Sequence, residues 1–441
     1  MTEIALQDSI NPRDQRLEYG ARILRWGAVL NTALAVIVLL LAAAAGSRLI
    51  PDLFITLQGV LLARYIGTAD TALALVILIT LLNMSAFLVL MVGVVARELW
   101  ALPALWVLVL LNGIALFVLG YTPALLTAGI AIWAGIRLGR DIRAFRVNPV
   151  MLKELRGRMR GVRAFLVLTV YLGLMSGFAM LLYLVYNSLT YTSGSAAAGE
   201  VGRVLFMGVV GIELLLIIFI APAFTAGAIT GERERQTYDL LRTTLLASPS
   251  FVIGKLESAL GYILLLLLAG IPLQSIAFIF GGVSELELIL SFVILTVTAI
   301  ALGTVGIYFS AALPRTLSAS VRAYTVIVVA MFITPVVLLV VLDLILRLLF
   351  ESGSTLNAPL LEAILRYLSL LVSSVNPITT ALTTQSLLID QQAVGFWMDT
   401  LRSDGSTIPM VSPWILYTII YLVVSAILVV LAIRRTHSTE I

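Results

Sequence analysis

APAFTAGAITGERERQTYDLLRTTLLASPSFVIGKL, residues 221–256, sets a charged cluster between two long apolar runs, 204–224 and 259–280. Runs of about 20 apolar residues cross the roughly 30 Å hydrocarbon core of a bilayer at 1.5 Å per helical residue. A polar stretch between two of them reads as an elbow on one side of a membrane. Thr230 or Gly231 can open a short helix there, with Glu232 and Glu234 in its first turn, where the positive end of the helix dipole favours them. Glu232, Arg235, Asp239 and Arg242 then share one side, and Tyr238, Leu241 and Leu245 form an adjacent stripe. Ser248-Pro249 ends this helix and opens the next, with Ser248 as cap and Pro249 at the first helical position.

The whole chain extends this reading. A mean hydropathy of +1.08, with 61% apolar and 12% charged residues, excludes a soluble globular protein. Apolar runs fall at 26–45, 71–95, 101–119, 123–136, 164–186, 204–224, 259–280, 286–312, 323–349 and 414–433. The expected fold is all-α: a polytopic integral membrane protein of about ten transmembrane helices, with both termini on one side. Of the 28 Lys and Arg residues, only Arg48, Arg64, Arg203, Arg347, Arg366 and Arg402 fall in segments opposite the termini. Basic flanks stay in the cytoplasm, so both termini are expected there. The run 123–136 is the shortest, and losing it would invert everything before it.

The net charge of +4 resides at membrane edges, which suits anionic lipid headgroups and gives no reason to expect nucleic acid as a partner. The absence of Cys removes disulfides and thiol chemistry. Residues 42–47 resemble a signal-peptidase site, but the preceding run exceeds a signal h-region and reads as an uncleaved helix.

The basic segment 137–163 divides the chain into an appended N-terminal membrane domain of about four helices, 1–146, and a six-span block, 147–441. Asn148-Pro149 is a helix start, with a side chain able to cap backbone amides. Over 148–163, Met151, Leu152, Leu155, Met159 and Val162 fall on one face and Lys153, Arg156, Arg160 and Arg163 on its neighbour. That pattern predicts a helix lying along the inner leaflet, either a plain positive-inside anchor or a further contact for a partner. The outer segment 350–413 carries an apolar stretch at 363–375, then Asn376-Pro377 and a Thr-rich run, and is expected to lie on or dip into the outer leaflet.

Chemistry for catalysis is scarce. The one Gly-Lys pair, Gly254-Lys255, is followed by Leu256 and lacks the upstream glycine of a phosphate-binding loop. His437 is the single histidine, so neither a catalytic nor a metal site is expected. Glu213, near the middle of its run, could face a substrate path or a subunit interface, or pack between helices as a hydrogen-bonded group. Asn31, Asn83, Asn112 and Gln274 read as interhelical hydrogen-bonders, and Asp343 with Arg347 as a pair one turn apart. Pro222, Pro272 and Pro335 predict kinks, and Gly173 with Gly177 a close helix contact.

In order and spacing, Gly231-Glu232-Arg233-Glu234, the Leu-rich short helix, the Ser248-Pro249 break and the Gly254-Lys255-Leu256 re-entry resemble permease subunits of ABC-2-type exporters. NPVMLKELRGRMRGVRAF, residues 148–165, is similar to the connecting helix that opens that family's membrane core. The resemblance implies a permease core over 147–441 that pairs with a second copy or paralogue in a homo- or heterodimer. It implies separate cytoplasmic ABC ATPase subunits as partners, and a plasma membrane, expected to be a prokaryote's, as the location. It implies that the elbow 227–256 couples ATP binding and hydrolysis to export through Gly231, Glu232, Arg233, Glu234, Arg235, Tyr238, Asp239, Leu241 and Arg242. No cofactor is expected in this chain, with ATP and Mg on the partner. Gln236 stands where the family commonly has Gly, and the elbow helix is expected to continue through it. Two rivals remain: an ion-coupled secondary transporter, for which Glu213 alone offers a ligand and no internal repeat is found, and a non-transporting scaffold or sensor partnered with an ATPase.

Overall fold

The computed structural model describes residues 12–46, 59–65, 69–140, 145, 147–160, 162–189, 195–238, 248–333, 336, 340–341, 344, 359–401, 405 and 407–438. Asp239, Leu241, Arg242 and Leu245, together with Pro335, Asp343 and Arg347, lie outside them. The protein is an all-α polytopic membrane protein: among the described residues, nine helices are long and apolar enough to cross a bilayer. The run at 123–136 is also helical, as Ala124–Gly139. Its 16 residues span about 24 Å, short of the hydrocarbon core.

Two compact units divide the chain. The first comprises residues 1–148 and the strand 407–411. Its helices are α1 (Pro12–Gly46), α2 (Ala69–Val95), α3 (Ala101–Leu119) and α4 (Ala124–Gly139). Leu24, Phe87, Leu105 and Leu138 form its buried centre. Glycines on α1 permit this packing, because a Cβ on Gly20 would lie 2.5 Å from Leu138 and one on Gly27 2.9 Å from the Phe87 ring. At the end of α3, Gly120 has φ +67°, and a Cβ there would meet the Arg64 backbone at 2.7 Å, so glycine is required twice over.

Lipid is as apolar as leucine, so helices in a membrane associate through close packing and hydrogen bonds. In this unit Asn83 and Asn112 exchange side-chain bonds at 3.0 and 2.7 Å, and Thr127 donates to Asn112 Oδ1 at 2.8 Å, joining α2, α3 and α4. Asn31 departs from the interhelical expectation, since its amide donates to Gly27 one turn back on α1. Asn112→Leu should therefore destabilise this unit by about 1–3 kcal/mol, removing both partners of the buried Asn83 amide while the Thr127 hydroxyl falls back on the Pro123 and Ala124 carbonyls. Thermal unfolding in mild detergent measures the loss, and an unchanged midpoint would show the triad to be dispensable.

The second unit comprises residues 149–406 and 412–441. Its helices are α5 (Pro149–Met159), α6 (Val162–Leu189), α7 (Ser195–Thr225), the short α8 (Thr230–Glu234), α9 (Ser248–Ile279), α10 (Glu285–Ala312), α11 (Thr316–Val328), α12 (Pro359–Ser373), α13 (Pro377–Asp390) and α14 (Pro413–Ser438). The most buried span, α10, packs on α7, α9, α11, α13 and α14. Ser284 caps it reciprocally: its Oγ accepts from Glu287 N–H at 3.2 Å, and Glu287 Oε1 accepts from Ser284 N–H at 3.1 Å. Tyr417 of α14 is fully buried with its hydroxyl 2.7 Å from Thr298 Oγ1 on α10.

A π-helical turn, Val329–Ile333, follows α11. Such turns upset the regular carbonyl ladder, and here the Met331 carbonyl accepts from Asn376 Nδ2 at 2.6 Å. Asn376 also caps α13 through Ile378 and Thr379 N–H, with Pro377 at the first position. The apolar stretch 363–375 falls largely on α12, which exposes Leu361, Ile364, Leu368 and Leu371 along one face. Gly173 and Gly177 do not make the close contact expected of them, since a Cβ on either would meet open space. Close approach occurs instead at Gly202, where a Cβ would lie 2.3 Å from the Gly281 carbonyl oxygen.

Candidate functional site

The chain leaving α7 turns through 226–229 onto α10. Ser310 Oγ accepts from the backbone N–H of Ile229 at 2.9 Å and of Thr230 at 3.1 Å, which satisfies amides that no helix pairs. Gly306 makes the approach possible, because a Cβ there would lie 2.0 Å from Thr225 Oγ1. Small residues on α10 thus seat the elbow.

The elbow helix α8 begins at Thr230, as expected, but ends at Glu234. Gln236 has φ +58°, and Thr237 N–H bonds to Glu232 C=O at 3.0 Å while Gln236 N–H bonds to Arg233 C=O at 3.1 Å. This is a Schellman stop with glutamine in the left-handed position that glycine prefers. The helix therefore does not continue through Gln236, and Tyr238 is not on its stripe. Tyr238 instead packs edge-on against Phe251 of α9 and lies 5.1 Å from the Arg233 guanidinium.

The charges of α8 are engaged within the chain, although Glu234 stays exposed. Glu234 accepts from Thr316 N–H at 2.7 Å and Thr316 Oγ1 at 2.9 Å, placing an anion at the start of α11. Arg233 donates to the Leu313 carbonyl at 3.0 Å, placing a cation just beyond the end of α10. Together they clamp the α10–α11 turn. Glu232 accepts from Lys255 Nζ at 2.8 Å and also bonds Thr237 Oγ1. The sequence reading had both acids facing their own helix dipole and a partner; in the structure each is engaged by another part of the same chain. Gly231 and Arg235 complete the turn, with Arg235 exposed.

Lys255 is the centre of this arrangement. It is 3% exposed, and Nζ also bonds Glu154 Oε1 of α5 at 2.6 Å. One ammonium therefore joins α5, the elbow and the first turns of α9. Burial works against ionisation of the Glu232 carboxyl, but the bonds from Lys255 and Thr237 and the charges of Lys255 and Lys153 outweigh it and hold that carboxyl below its usual range. Hydrogen bonds from Thr316 hold Glu234 low likewise.

The helix expected over 148–163 is interrupted: α5 ends at Met159, and Val162 and Arg163 open α6. The Arg163 side chain lies outside the described ones. Lys153, Arg156 and Arg160 are exposed, while Arg158 is half-buried against the end of α7. Its guanidinium lies 5.1 Å from the Phe224 ring, and Nη2 donates to the Phe224 carbonyl at 3.4 Å. Leu155 seats against Gly261 of α9, whereas Leu152, Met159 and Val162 stay exposed, so the apolar stripe divides between protein and surroundings. Asn148 donates to Glu98 Oε1 at 2.8 Å.

Glu213 is remote from the elbow elements. It is fully buried between α7 and α9, with Gln274 Nε2 donating to Oε2 at 2.5 Å. Its Oε1 lies beside Tyr171 over Gly270, where a Cβ would be only 2.0 Å from that oxygen. Gln274 pairs one carboxyl oxygen, and among the described residues Oε1 has no hydrogen-bond partner.

The sequence named Lys255 only as part of the Gly-Lys-Leu re-entry, and neither its ion pairs nor Glu154 was read from it. The available signal was a lysine eight residues into an apolar helix, a position that demands a counter-charge. No protein-family model matches the chain, and no curated protein matches it. Among the described residues, no group of three His, Cys, Asp or Glu side chains could hold a metal ion.

Proposed function

We propose that this chain is the membrane-spanning permease subunit of an ABC-2-type ATP-driven exporter, passing the work of a separate cytoplasmic ATPase to its own spans. One observation carries the reading: Lys255 ties the short helix α8 and the basic helix α5 to the start of a span. A push on either helix is thereby delivered to α9, while Arg233 and Glu234 deliver it to α10 and α11. Exposed Lys153, Arg156, Arg160 and Arg235 form the surface offered to the ATPase and to anionic headgroups. A second copy or a paralogue completes the path, both termini are cytoplasmic, and ATP and Mg are bound by the partner alone.

The chain has no Cys, so single cysteines report access cleanly. In sealed right-side-out vesicles an impermeant maleimide should label Gln391→Cys and leave Arg235→Cys untouched until the membrane is opened. Labelling of Arg235→Cys from outside would overturn the proposal, since no cytoplasmic ATPase could reach the elbow. Hydrolysis by the purified complex should rise when substrate is added; flat hydrolysis would favour a scaffold or sensor.

A further inference from the structure

A cavity of about 190 Å³ lies within the second unit, between α7, α10, the π turn and α13. Its walls are apolar, formed among others by Phe206, Val210, Leu214, Leu290, Ile294 and Phe332. One end is polar: Glu287, Ser291, Thr384 and Gln385 all line it, and each is more than nine-tenths buried. The size compares with an apolar cavity of about 150 Å³ that holds benzene, so it takes a short chain or ring and not a whole lipid.

Two features of the polar end call for a ligand. Thr379, Thr380 and Thr383 donate their hydroxyls back to nearby carbonyls, but the buried Thr384 Oγ1 has no hydrogen-bond partner among the described residues. Leaving a hydroxyl buried and unpaired is costly, and a polar group entering the cavity would relieve that cost. Glu287 accepts from Ser284 N–H, from Ser284 Oγ at 3.0 Å and from Gln385 Nε2 at 3.3 Å. A carboxylate offers about four acceptor positions, so one remains. Among the described residues no basic side chain lines the cavity. Arg203, one turn above Phe206 on α7, directs both Nε and Nη2 to the Gly282 carbonyl.

We propose that this cavity binds the head and first carbons of a cationic amphiphile, an alkylammonium whose N–H groups reach Glu287 and Thr384 while its chain lies along Leu214, Leu290 and Ile294. An anionic head would face a carboxylate with no compensating cation. Glu287 is in the first turn of α10, the end that the basic-residue asymmetry assigns to the outside, so the site opens toward the outer leaflet. The proposal stands apart from the exporter reading, and its test uses no ATP.

The test measures saturable binding of radiolabelled octylammonium to the full chain in lipid nanodiscs, with empty nanodiscs subtracted. Octanol and octanoate serve as competitors of equal length. Octanoate should compete at least tenfold less well than unlabelled octylammonium, with octanol between them. Glu287→Gln keeps the capping box and the fold but should weaken binding about tenfold, and the isosteric Thr384→Val should weaken it several-fold. Leu290→Trp, which fills the cavity, should abolish it. Absence of saturable binding, equal competition by octanoate, or unchanged binding in Glu287→Gln would each overturn the proposal.

Discussion

Lys255→Met should release the elbow from α5 while leaving the spans in place, and it should cut transport by the assembled complex at least tenfold. Methionine preserves the stem but removes the charge between Glu154 and Glu232. Breaking a fully buried pair costs about 3–5 kcal/mol. Both carboxylates are about a quarter exposed, so solvent screening reduces the expected loss to about 1–3 kcal/mol. Hydrogen exchange at amides 229–238 reads this directly, with faster exchange expected there and little change in α10. Glu154→Leu combined with Lys255→Met and Glu232→Leu should recover stability, because the repulsion is gone, without recovering transport. Wild-type transport in Lys255→Met would remove the lysine from the mechanism.

The same contact sets a pH dependence. The Glu232 carboxyl is held low in the folded chain, so its contribution is present above the ordinary carboxylate value of about 4.3 and is lost as pH falls through the lower folded value. Protection at 229–238, taken relative to the intrinsic exchange rate at each pH, should fall on acidification below about pH 4 in the wild type and much less in the triple variant.

Glu213→Lys should prevent stable membrane accumulation, whereas Glu213→Gln should accumulate and fold. Gln274 Nε2 points a donor at this position from 2.5 Å, and lysine would answer it with a second donor and a charge in a fully buried site. The penalty exceeds about 3 kcal/mol, the scale of an unpaired buried charge. Glutamine keeps the shape and an acceptor oxygen. Gly270→Ala tests the same packing from the other side, since its Cβ would meet Glu213 Oε1 at 2.0 Å and should lower the yield of folded protein. Expression and detergent-stable yield measure all three, and a folded Glu213→Lys would mean the carboxyl reaches water.

How far the fold was legible follows from the range of each signal. The spans are written as apolar runs, and α9 opens within one residue of the Ser248-Pro249 break, but α8 opens at Thr230 after Ile229 with no side-chain cap, its first amides held instead by the distant Ser310. Side-chain partners across the chain were not legible: Lys255 meets a carboxylate 101 residues away, and Glu234 meets an amide 82 residues away. Neither spacing leaves a periodic trace. The stop at Gln236 escaped notice because glutamine rarely occupies the left-handed region, and nothing local marks it as doing so. Gly173 and Gly177 had the right spacing for a contact, yet their side of α6 meets open space, whereas Gly306 and Gly270 do the close packing without any such motif. The strand 407–411, which belongs with the first unit, lies far from it in sequence and could not have been assigned there.

The central claim is that the elbow meets an ATPase. A photo-crosslinking residue placed at Arg235, exposed at the tip of the elbow, should capture an ABC-type ATPase subunit in native membranes, while the same residue at Gln391 should not. Capture from Gln391 alone, or no ATPase from Arg235 at full expression, would contradict the account.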